Sequence, residues 1–148
     1  MEQHEDPLGK HDGWTTKPVL TRFSDFGENG SLHETRSFAF FEQARLEIAE
    51  ESGFVQSLPE DDDWFFPVID IQYHMKSSVS LGDVLFTQTR LHLPSIARLD
   101  FEHRLLAGNT VCIEATIKVA VVSRMHGLLF SFDESIKSRV KEFLNRSS

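Results

Sequence analysis

Cysteine is almost absent from this chain, since Cys112 is the only one among 148 residues. A single thiol cannot close an intramolecular disulfide, and no cysteine and histidine spacing typical of a zinc site occurs. The sequence therefore excludes a disulfide scaffold and a zinc-ribbon protein, and it favours a reducing compartment.

Long hydrophobic runs are also missing. Residues 1–17 lack the apolar stretch of a signal peptide, and no later segment approaches the roughly 20 apolar residues of a membrane span. We therefore expect a cytoplasmic protein without a membrane partner.

Positive charge is scarce. Fifteen basic residues against 23 acidic ones give a net charge of −8. This overall field is wrong for a protein that grips nucleic acid or an anionic membrane surface. Nucleic acid is therefore excluded as an expected partner.

Hydrophobic residues, by contrast, make up 40% of the chain and include 13 phenylalanines, which is enough for one sizeable core. Residues 1–17 are polar and predict a flexible tail. Residues 18–148 predict a single domain.

Hydrophobic periodicity predicts a short strand from Pro18, one long helix over Thr35–Glu51 and a glycine stop at Gly53. Period-two alternation then predicts four long strands within residues 67–75, 84–93, 97–106 and 110–123. A closing amphipathic helix is expected over residues 133–144. A helix with one apolar side, joined to such strands, buries that side against the sheet, so we predict an α+β fold.

The long helix carries a charge on its apolar side. Phe38, Phe41, Arg45 and Ile48 share one stripe at 100° per residue, and Glu34 joins it if the helix starts one turn earlier. Burial of an unpaired charge is costly, so Arg45 should either have an anionic partner or reach a cleft. A purely structural arginine, satisfied by a carboxylate or carbonyl, is the alternative. His103, on the apolar face of a strand, is expected to be a satisfied core or interface histidine.

Two segments of the sequence resemble a known family. "RFSDFGENGSLHETRSFAFFEQAR" (22–45) and "VIDIQYHMKSSVSLGDVLFTQTRL" (68–91) resemble hotdog-fold acyl-CoA or acyl carrier protein thioesterases of the 4-hydroxybenzoyl-CoA type. The resemblance covers roughly residues 19–144. It implies a hotdog fold, in which an antiparallel sheet wraps around a long central helix.

One position departs from this family. Asp25 matches the first aspartate of the motif, Gly30 its turn glycine and Arg45 its helix arginine, but Gly27 stands where the family has a second aspartate, the nucleophile or general base. Enediyne-type thioesterases of polyketide pathways are similar in lacking that aspartate. They rely on an asparagine and the helix arginine.

The resemblance implies substitutes for the missing aspartate. Glu34 is the favoured catalytic carboxylate, acting with Arg45, while Glu28 and Asn29 are further candidates. Glu34 as an acid that only favours the helix dipole, and Glu28 as a solvated loop acid, are the alternatives.

Other site residues follow from the same resemblance. Backbone N–H groups at His33, Glu34 and Thr35 would form an oxyanion site at the helix start. A further set is expected to contact the substrate: Phe38, Phe41, Tyr73 and Ser78. No metal and no other cofactor is implied.

The implied activity is hydrolysis of an acyl thioester, carried on coenzyme A or an acyl carrier protein, with a polyketide intermediate among the acyl groups. The chain would form a homodimer or homotetramer with active sites between subunits.

Two alternatives remain: a catalytically silent hotdog protein that binds an acyl chain or carrier, and a polyketide dehydratase or cyclase. A Gly-x-Ser-x-Gly elbow is missing, which excludes an α/β-hydrolase by motif.

Overall fold

A computed structural model describes residues 9–11, 13–94 and 98–128, together with residues 134, 137, 138, 141 and 142. The helices are a short 3-10 helix (Phe23–Asp25), α1 (Glu34–Glu51) and α2 (Phe54–Ser57). The strands are β1 (Gly9–His11), β2 (Trp14–Val19), β3 (Trp64–Phe65), β4 (Val68–Met75), β5 (Leu85–His92), β6 (Arg98–Ala107), β7 (Thr110–Ala120), β8 (Val122–Ser123) and β9 (Gly127–Leu128).

Six strands form one antiparallel sheet in the order β1-β2-β5-β6-β7-β4, and β3, β8 and β9 form a small second sheet. Helix α1 packs against the large sheet, with contacts to β2, β5 and β6. The predicted α+β architecture of an antiparallel sheet and one long helix is confirmed.

The core lies between α1 and the sheet. Strand β6 alternates as predicted, because Leu99, Phe101, His103 and Leu105 are all buried. The helix buries Phe41 and Ile48 from the predicted stripe, and also Ser37 and Ala44. Full burial of each large apolar side chain contributes about 1.5–3 kcal/mol, so this interface fixes the position of α1.

Strand β4 exists as predicted, but its alternating apolar residues form no buried face within the described part of the chain. It is an edge strand that pairs with β7 alone, and Ile69 and Ile71 remain 56% and 47% exposed. Only Tyr73 is partly covered. Alternating hydrophobicity is typical of a strand with one covered face, but among the described residues α1 covers β4 only at Tyr73.

The predicted flexible tail through residue 17 is wrong at its C-terminal end. Strand β2 starts at Trp14 and pairs with β5, and Trp14 is only 7% exposed. The guanidinium carbons of Arg90 and Arg104 lie 4.2 and 4.0 Å from the centroid of its ring. These cation–π contacts hold the start of β2 on the sheet, although the sequence of this segment is too polar to predict a core strand.

The predicted helix boundaries agree with α1 to within one residue, and Gly53, with φ of 77°, ends it in the left-handed conformation. The strand predicted from Pro18 ends at Val19. The predicted closing helix lies largely outside the described residues. No described helix is long and apolar enough to cross a membrane.

Candidate active site

Asp25 fastens the loop before α1 to the start of that helix. Its buried carboxylate accepts hydrogen bonds from the Arg22 N–H and from Arg36 Nε, each at 2.7 Å. Its backbone carbonyl accepts from the His33 N–H at 2.9 Å. Asp25 therefore positions the helix N-terminus. Its partner Arg36 was not predicted, since an arginine in a first helical turn gives no sequence signal of its own.

The turn between Asp25 and α1 is shaped by its own backbone. The Gly27 N–H donates to the Ser31 carbonyl at 2.8 Å, and the Asn29 side-chain oxygen accepts from the Ser31 N–H at 3.0 Å. Gly30 has φ of 80°, which glycine adopts without strain. Asn29, predicted as a catalytic candidate, thus has a turn-forming contact, and Glu28 is exposed beside it.

Gly27 lies close to the start of α1. A Cβ atom at this position would lie 3.3 Å from Asn29 Oδ1 and 3.4 Å from His33 Cε1. The side chains of Asn29 and His33 thus flank the place where the resembling family has its aspartate.

The N-terminus of α1 offers free hydrogen-bond donors. Of the three predicted oxyanion donors, the His33 N–H is already engaged by Asp25. The N–H groups of Glu34 and Thr35 have no hydrogen-bond partner among the described residues. Two donors therefore remain at the positive end of the helix dipole, where they can stabilise a developing negative charge.

A cavity of 260 Å³ adjoins this helix start. Its lining includes Glu34 and Ser78, two predicted site residues, together with Ser31, Leu32, Met75, Val79 and Ile113. The fold thus brings the favoured carboxylate and one predicted substrate contact together. Glu28 is not part of this lining.

Tyr73 holds the first turn of α1 against the edge strand. Ser37 Oγ donates to the Glu34 carbonyl at 2.6 Å, so the Tyr73 hydroxyl, 3.1 Å away, donates to Ser37 Oγ. The Tyr73 ring also lies 5.0 Å from the Phe38 ring. Ser37 was missed, because a small polar residue beside an aromatic stripe gives no distinct pattern.

Arg45 lies partly buried near the middle of α1. Its Nη1 is 3.4 Å from His103 Nε2, and it forms no ion pair with a carboxylate of the described residues. Burial lowers the pKa of Arg45, and the nearby Glu42 opposes this effect. Of the two expectations for Arg45, an anionic partner or a cleft, the first is not met among the described residues, and the contact is instead a histidine 58 positions away in the sequence.

His103 is confirmed as a buried histidine with satisfied hydrogen bonds. Its Nδ1 lies 3.0 Å from Thr89 Oγ1, and its ring stacks on Phe41 at 4.7 Å. Burial, and then the charge of Arg45, hold the pKa of His103 well below its usual value. The imidazole is thus neutral. Because arginine can only donate, Nε2 accepts from Arg45 and the Nδ1–H donates to Thr89.

The second expectation for Arg45, that it reaches a cleft, is met. Arg45 and Glu42 line both a cavity of 450 Å³ and an adjoining one of 210 Å³. Phe38 lines the smaller cavity, whereas Phe41 is 0% exposed and belongs to the core. Of these two predicted substrate contacts, only Phe38 faces a cavity.

The structure does not bring Glu34 and Arg45 together. They share one stripe of α1 but line different cavities. Arg45 lies 11 positions after Glu34, which corresponds to about 16 Å along the helix axis. The described residues also contain no group of three or more histidine, cysteine, aspartate or glutamate side chains arranged to hold a metal ion.

Comparisons with known proteins agree with this architecture. The family model for the thioesterase-like superfamily matches residues 21–140, while no curated protein sequence matches the chain. A predicted thioesterase from Bacillus stearothermophilus superposes with a TM-score of 0.75 at 17% identity, over 87% of this chain and 95% of the other.

Two further solved structures are similar. A 1,4-dihydroxy-2-naphthoyl-CoA thioesterase from Synechocystis has a TM-score of 0.73 at 10% identity, covering 88% of this chain and 97% of its own. A Thermus thermophilus thioesterase complexed with coenzyme A and zinc has a TM-score of 0.68 at 21% identity, covering 88% and 94%. At these identities the likeness establishes the hotdog fold.

Proposed function

This chain belongs to the thioesterase-like superfamily, and we propose that it hydrolyses an acyl thioester to the free acid and a thiol. One observation carries the proposal. Glu34 lines one cavity at the start of α1 together with Ser78, and the N–H groups of Glu34 and of the adjacent Thr35 have no hydrogen-bond partner among the described residues.

The backbone donors would bind the thioester carbonyl oxygen. As water adds to the carbonyl carbon, negative charge develops on this oxygen, and the helix dipole and the two N–H groups stabilise it. Loss of one such donor typically lowers the rate by about 10²–10³-fold. Asp25 supports these donors because it engages the His33 N–H and Arg36 at the same helix end.

Glu34 would act as the general base. Its carboxylate removes a proton from a water molecule as the water oxygen attacks the carbonyl carbon. The carbon–sulfur bond then breaks, and the departing thiolate takes up the proton. This assignment replaces the carboxylate that is missing at Gly27. Arg45 lines a separate cavity, and we assign it to the acyl group.

The carrier of the acyl group is proposed to be coenzyme A or an acyl carrier protein. The coenzyme A complex of the Thermus thermophilus relative supports coenzyme A. Ser78, in the cavity beside Glu34, and Phe38 with Tyr73, at the first turns of α1, are the proposed substrate contacts. A polyketide acyl group and a cytoplasmic location remain predictions.

We further propose that two subunits pair through β4 into a dimer, which could pair again into a tetramer. An open edge strand with exposed apolar side chains invites another strand, and β4 exposes Ile69, Ile71 and Met75. Such pairing would cover the side of α1 where Phe38 and Arg45 line their cavities. Light scattering of the native protein and of Ile71→Lys would test this, since the variant should shift towards monomer.

The deciding experiment measures release of free thiol from aryl, short, long and polyunsaturated acyl-CoA and acyl carrier thioesters. We expect Glu34→Gln to lower kcat by on the order of 100-fold or more, because the amide cannot take up the proton of the water. Glu50→Gln, which removes an exposed acid near the other end of α1, is the matched control. Full activity of Glu34→Gln would refute the assignment of the base.

The glycine at position 27, where the resembling family has its catalytic aspartate, favours a second candidate function: binding of acyl thioesters without hydrolysis. This candidate gains support if the folded native protein binds a thioester of the panel, measured by calorimetry, yet releases no thiol from any of them.

A further inference from the structure

Arg45 holds unused hydrogen-bonding capacity beside an apolar cleft. A guanidinium group has five N–H donors, and the described residues provide one contact, to a neutral imidazole. Arg45 is partly buried, so solvent does not fully replace the missing partners. A cation in this position is stabilised by an anion that enters the cleft.

His103 holds the guanidinium in place without neutralising it. The imidazole is fixed through the Thr89 hydroxyl at 3.0 Å and through stacking between Phe41 and Phe101, with ring centroids 4.7 and 5.9 Å away. Strand pairing places Thr89 directly opposite His103. A carboxylate in place of this histidine would already satisfy the charge of Arg45, whereas the neutral ring leaves that charge available.

The cleft beyond Arg45 accepts an apolar group. Most of the lining of the 450 Å³ cavity is aromatic or aliphatic, including Trp64, Phe65, Phe66, Leu99 and Phe101. The acid in this lining is Glu42, which is exposed and forms no ion pair with Arg45. A matching ligand is therefore a hydrophobic chain that carries one anionic group.

We propose that Arg45, positioned by His103 and Thr89, binds a carboxylate on the acyl group. The preferred substrate is then a thioester whose apolar acyl chain carries a free carboxylate far from the thioester group. This inference rests on the proposed function. Arg45 and the thioester-binding helix start are separated by about 16 Å along the helix axis, so a long acyl chain is required.

A direct binding measurement tests the inference without turnover. Dodecanoate and 1-dodecanol have equal chain lengths, and the former carries a carboxylate. By calorimetry we expect the native protein to bind dodecanoate on the order of 10-fold more tightly, as befits a charge-assisted hydrogen bond. Arg45→Leu should abolish this preference. Lys118→Leu, which removes a positive charge from a β7 position facing away from α1, should keep it.

The role of His103 and Thr89 is tested through Thr89. Thr89→Val removes the hydroxyl that holds the imidazole but keeps the side-chain volume, and it should lower the preference about threefold. Thr89→Ser restores the hydroxyl and should restore the preference. A purely structural role would lower the melting temperature of Thr89→Val but leave the preference unchanged.

Kinetics then place the site in the reaction. The value of kcat/KM for dodecanoyl-CoA is compared with that for the same thioester bearing a terminal carboxylate, and the latter should be preferred by native protein but not by Arg45→Leu. Equal affinity of the native protein for dodecanoate and 1-dodecanol, or a preference that survives in folded Arg45→Leu, would overturn the inference. Failure of both thioesters to release thiol while dodecanoate binds preferentially would refute the proposed hydrolysis instead.

Discussion

The first turn of α1 and its middle lie on the same stripe of the helix, yet their surroundings differ. At the first turn, Glu34 is exposed, and the N–H groups of Glu34 and Thr35 have no partner in the described part of the chain. In the middle, the backbone is fully hydrogen-bonded within the helix, and Arg45 is the group that lacks a full set of partners. The comparison teaches that a helix binds a reacting carbonyl with its end, whereas further along it can bind only with side chains.

Phe41 provides the largest test of this difference. Phe41→Ala should lower the free energy of unfolding by about 3–5 kcal/mol, because the side chain is fully buried and stacks on His103. Phe38→Ala, three positions earlier and 36% exposed, is the control and should cost markedly less. Urea unfolding measures both. Equal losses would show that the middle of α1 is no more tightly packed than its first turns.

Asp25 tests how firmly the first turn is held. Asp25→Asn should lower the free energy of unfolding by about 1.5–3 kcal/mol, since the buried Asp25 carboxylate would lose its charge and weaken both its ion pair with the half-exposed Arg36 and the bond from the Arg22 N–H. It should also lower the hydrolysis rate through a displaced helix start. Asp61→Asn, at an exposed loop position, should change neither. An Asp25→Asn protein of native stability would mean that other contacts suffice to hold this turn.

His103 gives the smallest effect, a pH dependence. Its pKa is lowered in the folded protein, while in the unfolded chain it is protonated below its ordinary value of about 6.5. The unfolded state therefore binds more protons below that pH, and stability falls as the pH falls, by up to about 1.4 kcal/mol per pH unit. Unfolding curves between pH 7 and 5 should show a shallower slope for His103→Gln. The exposed His74 provides the control His74→Gln, and an unchanged slope in His103→Gln would contradict a neutral His103.

Much of this arrangement follows from the sequence, because helix and strand periodicity are local. The stripe of α1, its glycine stop and the misplaced charge of Arg45 are all visible in one window of the chain. The resemblance named Glu34 and Ser78 separately as site candidates, and in the structure the two line one cavity.

Other parts depend on contacts that periodicity does not encode. The histidine beside Arg45 depends on how β5, β6 and α1 meet, and strand register sets Thr89 opposite His103, 14 positions later in the sequence. Trp14 is ordered by two arginines from distant strands. Because Glu34 and Arg45 lie on the same face of α1, the sequence predicted that they act in one active site. A shared helix face, however, does not fix how far apart two residues lie along the helix axis.

Trp64 has an optical consequence. The chain contains two tryptophans: Trp14 contacts two arginines on the sheet, and Trp64 lies in the wall of the 450 Å³ cavity, where its indole N–H donates to the Pro59 carbonyl at 2.9 Å. In a Trp14→Phe protein, all indole emission would come from the cleft wall. Entry of an acyl chain would then change the emission of Trp64, so the protein carries its own fluorescent reporter of ligand binding.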